Sequence, residues 1–232
     1  MKQNGLKKNF VHTIQQKIFS GEYAIGQQLP TERELAAQLG VSRSLVNTGV
    51  LELASQGFVR ILPRQGTVVA DYKRNGTLQV LAALMNCDSY RIDYPLLKDL
   101  IELRILVECE SARLASRCIT AEELSALSAE VRAMQACNPP ENAAKPMLRF
   151  HYLLTQYSGN AVYAMTFKSF ESTILRLMRQ HLQTMPDLPR TVKQHESLVR
   201  ALEARNPEES AVCARTCILQ GVKALKKLYE QG

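Results

Sequence analysis

The sequence has 232 residues, 46% hydrophobic and 22% charged, with 29 Lys and Arg against 22 Asp and Glu and a formal net charge of +7. That length holds one large domain or two smaller ones with room for a core, and no apolar run reaches membrane-spanning length, because Lys, Arg, Glu or Gln interrupts each candidate. The basic opening stretch MKQNGLKKNFVHTIQQK lacks an apolar core and a small-residue cleavage site, which speaks against a secretory signal; a soluble, cytoplasmic protein with no membrane partner is expected.

The charge is unevenly spread. Up to Arg74, ten basic residues stand against five acidic ones, so +5 of the total lies in the first third. An acidic partner is favoured there. In the same stretch Leu6, Phe10, Ile14, Ile18 and Phe19 recur at helical spacing and predict a helix over 6–20. SGEYAIGQQLP breaks it. Thr31, with Glu34 three residues on, forms a capping-box signature for a second helix that ends at Gly40. Ser42 caps a third helix running to about Gln56, with Leu45, Val46, Val50, Leu51 and Leu53 expected to face inward and Gly57 to stop it. FVRIL and TVVADY, joined by PRQG, read as a β-hairpin. Three helices and a hairpin in about seventy residues outline a winged helix-turn-helix.

The second half shows no strand. Helices are expected near 77–87, 95–118, 121–136, 143–157, 161–185, 189–204 and 208–230, with starts marked by Thr120, Asn160 and Pro207. Long amphipathic helices on short loops predict an antiparallel bundle. The fold class is therefore mainly α: a winged helix-turn-helix over 1–72, a polar linker at 73–77, and a helical domain over 78–232. The six cysteines Cys87, Cys109, Cys118, Cys137, Cys213 and Cys217 form no CxxC and are expected to be buried free thiols.

Candidate DNA contacts follow from the chemistry of a recognition helix. Its N-terminus offers free backbone NH groups and a favourable dipole to phosphate, and an arginine there can pair bidentately with guanine. Ser42, Arg43 and Ser44 occupy that end, and Arg33 on the preceding helix is placed to reach backbone or base. The hairpin tip presents Arg64, Gln65 and Gly66 to a minor groove or to phosphates.

The phrase GQQLPTERELAAQLGVSR, with the hairpin after it, resembles the DNA-binding domain of the GntR superfamily of bacterial transcription regulators. That resemblance implies DNA contacts at Arg33, at Ser42, Arg43, Ser44 and Leu45, and at the wing glycine, Gly66. Asn47, a further expected DNA contact, stands where the family usually has arginine, which implies a shifted base preference or a weaker phosphate grip. In the second half, LIELRILVECESARLAS, FHYLLTQYSGN and QHESLVRALEARNPEESAVCARTC are similar to the FadR-like branch, whose C-terminal part is the FCD domain.

Many FCD domains hold a divalent metal through one aspartate and three histidines, and the metal helps to seat a carboxylate effector. His151 and His195 match two of those histidines, while the aspartate position is Met147 and the last histidine is Cys217. His151, His195 and Cys217 are thus the candidate set for a metal such as zinc, which accepts N and S donors. Arg104, in ELRILVE, joins His151 and His195 as a candidate effector residue, through either a carboxylate clamp or an ion pair with Glu108 one turn later. The expected protein is a homodimeric repressor on an inverted-repeat, double-stranded operator, retuned by a small carboxylate. Two alternatives stand beside it: a DNA-bound dimer whose bundle senses nothing, and a zinc hydrolase using the His/His/Cys set. Against catalysis, the sequence has neither HExxH nor a nucleophile elbow.

Overall fold

The computed structural model describes residues 2–85, 94–184 and 186–230. The chain divides into two compact units, Met1–Arg91 and Ile92–Gly232.

The first unit runs α1 (Lys2–Phe19), α2 (Glu32–Leu39), α3 (Arg43–Gln56), β1 (Val59–Leu62), β2 (Gly66–Val69), α4 (Tyr72–Asn75) and α5 (Leu78–Met85). Its helix ends are set locally, as their residues predict. Thr31 Oγ1 accepts from the Glu34 NH at 3.3 Å while Glu34 Oε2 accepts from the Thr31 NH at 2.8 Å, which satisfies two otherwise orphaned donors of α2. Ser42 Oγ accepts from the Leu45 NH at 3.3 Å to start α3. Gly40 and Gly57, at φ 64° and 89°, close α2 and α3 in the left-handed conformation that glycine adopts without strain.

Phe10, Val11, Ile14 and Ile18 of α1, Leu35 of α2 and Val46, Val50 and Leu53 of α3 are buried, with α3 packed on both α1 and α2. The buried α3 set follows i, i+4, i+7. Leu51, expected to face inward, is instead 53% exposed, because it sits one residue, about 100° of helix, beyond Val50. Strands β1 and β2 pair antiparallel in the register Val59↔Val69 to Leu62↔Gly66. The outer edge of β2 is covered by the segment before α2, through Gly26 NH to Val69 O at 3.0 Å and Leu29 NH to Thr67 O at 2.8 Å. Strand β2 is therefore held along both of its edges.

The segment expected as a linker is partly structured. Tyr72 is buried, with its ring edge-on to Phe19 at 5.7 Å, and residues 72–75 make one helical turn. The helix at 78–85, expected in the second domain, falls in the first unit. Residues 86 and 87 of the expected helix, Cys87 included, lie outside the described residues.

The second unit contains α6 (Tyr94–Cys118), α7 (Ala121–Gln135), a 3-10 turn (Pro140–Ala143), α8 (Ala144–Tyr157), α9 (Ala161–Ser169), α10 (Glu171–Thr184), α11 (Leu188–Glu203) and α12 (Pro207–Glu230). The two longest, α6 and α12, lie along each other; α11 packs on α12 and α7, and α8 packs on α6, α7 and α10. Arg113 forks onto Glu208 with two contacts of 3.0 Å, tying α6 to the start of α12. One expected helix, 161–185, is two. The chain breaks at Phe170, which is 1% exposed. No glycine or proline marks the break. Both Phe167 and Phe170 are buried, so the apolar pattern runs across it. The described cysteines are free but not buried as expected: Cys118 is exposed, and Cys109, Cys137, Cys213 and Cys217 are partly covered. No described helix is long and apolar enough to cross a membrane.

Candidate DNA-reading face and bundle pocket

Among the described residues of the first unit, every acidic side chain is already engaged. Glu22 pairs with Lys17, Glu52 with Lys7 at 2.7 Å, Glu34 closes the α2 capping box, and Asp71 Oδ1 accepts from the Arg74 NH at 3.2 Å. Glu32 Oε1 accepts from Asn47 Nδ2 at 2.8 Å. Arg33 on α2, Arg43 in the first turn of α3, Arg60 on β1 and Arg64 in the hairpin turn are all exposed, and none has a hydrogen bond or ion pair among the described residues. The net positive charge of this unit is thus presented on arginines that have no internal partner.

The other expected contacts are spread around the same elements. Ser42 serves as the α3 cap, Ser44 is exposed beside Arg43, and Leu45 is half-buried. Arg64 and Gly66 both have positive φ, 64° and 90°, and the Gln65 carbonyl accepts from Gln28 Nε2 at 2.6 Å. A side chain at Gly66 would meet that amide at 2.8 Å. Glycine is needed there for the turn itself. Asn47 is exposed as well, and its Nδ2 is turned to Glu32, linking the two helices of the helix-turn-helix.

In the second unit Arg104, Glu108, His151 and His195 converge from α6, α8 and α11. Arg104 Nε donates to Glu108 Oε1 at 2.6 Å, and Nη2 reaches Oε2 at 3.4 Å. His151 Nδ1 lies 2.6 Å from Glu108 Oε2, an ion-pair separation away from the line of a regular hydrogen bond. His195 Nδ1 donates to the Thr191 carbonyl at 2.7 Å, which leaves its Nε2 as acceptor for His151 Nε2 at 3.2 Å. Burial opposes ionisation of Glu108, yet the charges of Arg104 and His151 outweigh it and hold the carboxyl at about 2. Burial, with the charge of His151, pushes His195 down to about 3. The ion pair with Glu108 is therefore the arrangement that Arg104 adopts. Glu108, fully buried, is the residue that organises the site.

The three side chains expected to ligate metal do not make a ligand set. His151 and His195 turn their Nε2 atoms on each other. Met147 offers no oxygen, and among the described residues no three His, Cys, Asp or Glu side chains are grouped to hold an ion. Zinc needs converging, deprotonated donors, so the residues present do not fit it.

The linked shifts set a pH dependence. Both Glu108 and His195 titrate lower in the folded chain than in the unfolded one, so on acidification the unfolded state takes up protons first and stability falls. His195 acts from its ordinary 6.5 down to about 3, and Glu108 from 4.5 down to about 2. Denaturant titrations at pH 7.5, 5.5 and 4.5 are expected to show the second unit weakening by up to ~1.4 kcal/mol per pH unit below 6.5. His195→Asn should flatten the fall between pH 6.5 and 4.5. An unchanged slope would remove His195 as its source.

The bundle cluster sits beside a cavity of about 40 Å³ whose lining includes Leu100, Arg104, Met147, His151, Leu177 and Cys217. The exposed arginines on the capped helices and the wing suit a nucleic acid, and the second unit is a helical bundle built around a charged cluster. Residues 6–69 match the family of bacterial regulatory proteins called gntR, and residues 99–220 match the FCD domain. The second match alone spans more than half of the chain: this protein belongs to the GntR regulators that carry an FCD domain, and it is a transcription regulator of that type.

Among its relatives, the Glc operon transcriptional activator of Escherichia coli K12 is 26% identical over 95% of this chain and 89% of its own. The galactonate operon transcriptional repressor of E. coli K12 is 24% identical over 94% and 96%. Of the solved structures, Lar of Listeria monocytogenes is 18% identical, covers 95% of this chain and 97% of its own, and superposes with a TM-score of 0.66. E. coli McbR/YncC is 17% identical, with coverages of 97% and 98% and a TM-score of 0.56. These two share the fold.

Proposed function

We propose that the chain acts as a homodimeric repressor that reads an inverted-repeat operator with α3 and the hairpin, and that a small carboxylate in the bundle changes its operator affinity. The observation that carries the DNA reading is the four exposed arginines, Arg33, Arg43, Arg60 and Arg64, without a hydrogen bond or ion pair in a unit whose described acids are all engaged. Free guanidinium groups at a helix N-terminus fit phosphate and guanine. Arg43→Ala is expected to weaken binding to the chain's own operator by roughly 10- to 100-fold and to relax base preference at one position per half-site. Fluorescence anisotropy with operator variants measures both. Undiminished discrimination would remove Arg43 as a reader.

The effector reading rests on Arg104 and His151, a guanidinium and an imidazole that share a single buried carboxylate at the edge of the cavity. A guanidinium and an imidazole NH at a cavity edge suit an anion. No metal is needed for it, and chelation by EDTA should leave carboxylate binding and its effect on operator affinity unchanged. The contrary reading, a bundle that only assembles the dimer, draws on the fact that Arg104 is already paired with Glu108. Thermal shift and anisotropy across a set of carboxylates separate the two: a ligand that moves both supports sensing, and none that moves either supports assembly alone.

A further inference from the structure

Asn47 is exposed on the outer side of α3, whose buried side is taken by Val46, Gly49, Val50 and Leu53. Ser44 and Arg43 lie three and four residues before it, so the three side chains stand on one face of the helix. Asn47 is held from outside its own helix: Nδ2 donates to Glu32 Oε1 at 2.8 Å, across the turn between α2 and α3. Glu32 opens α2 and is half-buried, which limits its movement. Thr48, the next residue, turns its hydroxyl back onto the Leu45 carbonyl at 2.9 Å and so offers no free donor beside the amide.

The contact fixes which way round the amide stands. A carboxylate only accepts hydrogen bonds, so it must face Nδ2 and leave Oδ1 turned away from it. Glu32 takes one of the two Nδ2 hydrogens, and neither the second hydrogen nor Oδ1 has a partner among the described residues. One acceptor and one donor are left side by side, the pattern that adenine complements in the major groove with its N6 amino group and N7. Guanine presents two acceptors there, N7 and O6, and would set one of them against Oδ1. The pyrimidines offer a single match, cytosine N4 to Oδ1 or thymine O4 to the N–H. A phosphate is a poorer partner still, because the Glu32 carboxylate, 2.8 Å from the amide nitrogen, repels it. Asn47 is thereby set to read a base rather than to grip the backbone.

We infer that Asn47 reads one adenine in each operator half-site, and that Glu32 is the positioning residue that presets its amide, a role that rests on the DNA reading proposed above. An unheld asparagine can turn its amide over and offer two donors, which guanine accepts, so the base preference depends on residue 32 being an acceptor only. Glu32→Gln separates that role from simple support. Glutamine keeps the length of the side chain and a hydrogen bond to Asn47, yet its own amide can donate to Oδ1 and hold the reversed orientation.

The test begins with selection of the full-length protein's preferred sequence from a random double-stranded library. Fluorescence anisotropy then measures binding to duplexes that carry each of the four base pairs at every half-site position. In the wild-type chain one position should favour A·T over G·C by roughly 10-fold or more. Asn47→Ala should bring that ratio below about 3, while the position read by Arg43 keeps its discrimination. Glu32→Gln should cut the same ratio at least about threefold, by admitting guanine. Loss of the acid strengthens binding to every duplex, so the ratio and not the affinity is read. Circular dichroism and the discrimination kept at the Arg43 position certify that each variant is folded, and each reads the ratio independently. If no adenine preference responds to Asn47→Ala, the readout is overturned; an undiminished ratio in Glu32→Gln overturns the role of Glu32. In both cases the DNA reading stands, since the wild-type chain still selects a sequence. If the wild-type chain enriches no sequence from the library, the DNA reading falls and takes the adenine contact with it.

Discussion

Glu108→Ala is expected to destabilise the helical unit by about 3–5 kcal/mol, the cost of leaving buried cations without their counter-charge. The carboxylate is fully buried and stands between Arg104 at 2.6 Å and His151 at 2.6 Å. Its removal strands both groups where water cannot replace it, and it also opens a cavity between α6 and α8. The pair as such need not be stabilising, since exchanging a whole buried ion pair for apolar side chains is often close to neutral. Arg104→Met with Glu108→Leu should therefore recover most of the stability that Glu108→Ala loses, while abolishing carboxylate binding. Denaturant midpoints for the two singles and the double give the coupling energy directly. A loss below about 1 kcal/mol in Glu108→Ala would mean that the cluster is hydrated and does not organise the bundle.

Gly49→Ala is expected to destabilise the DNA-reading unit by about 2 kcal/mol, although helix propensity alone predicts a gain of ~1 kcal/mol for alanine. Gly49 is buried in the middle of α3, against α1. A methyl group there would come within 2.6 Å of Phe10 Cε1 and closer still to Cδ1. Phe10 is 3% exposed on a helix packed against α3, so it has little room to swing away. Overpacking therefore outweighs propensity. Phe10→Leu should relieve the clash, so that the double variant Phe10→Leu, Gly49→Ala is more stable than Gly49→Ala alone. Thermal unfolding and operator affinity of the three chains test this. A stabilised Gly49→Ala would show that α1 and α3 are free to move apart.

The helix boundaries of the first unit were legible because their causes lie within four residues: the Thr31–Glu34 box, the Ser42 cap, and the glycines at positions 40 and 57. Arg33, Arg43 and Arg64 were legible as candidates for the same reason, since their place on a helix or turn follows from local pattern. The engagement of Asn47 was not, because its partner Glu32 lies 15 residues away on another helix. Leu51 was misplaced by counting apolar residues rather than angles. The break at Phe170 left no mark because the apolar positions on either side continue the same period.

The sequence by itself determined the order of elements, the family and the two kinds of chemistry, since these depend on short-range hydrogen bonds, hydrophobic period and motif residues that neighbours in the chain supply. Only the tertiary structure decided how His151 and His195, 44 residues apart, use their nitrogens. One is turned to Glu108 and the other to the Thr191 carbonyl, and their remaining faces meet each other and do not converge on an ion. Protonation and pairing are set by what the bundle packs against each group, and that packing joins helices far apart in the chain.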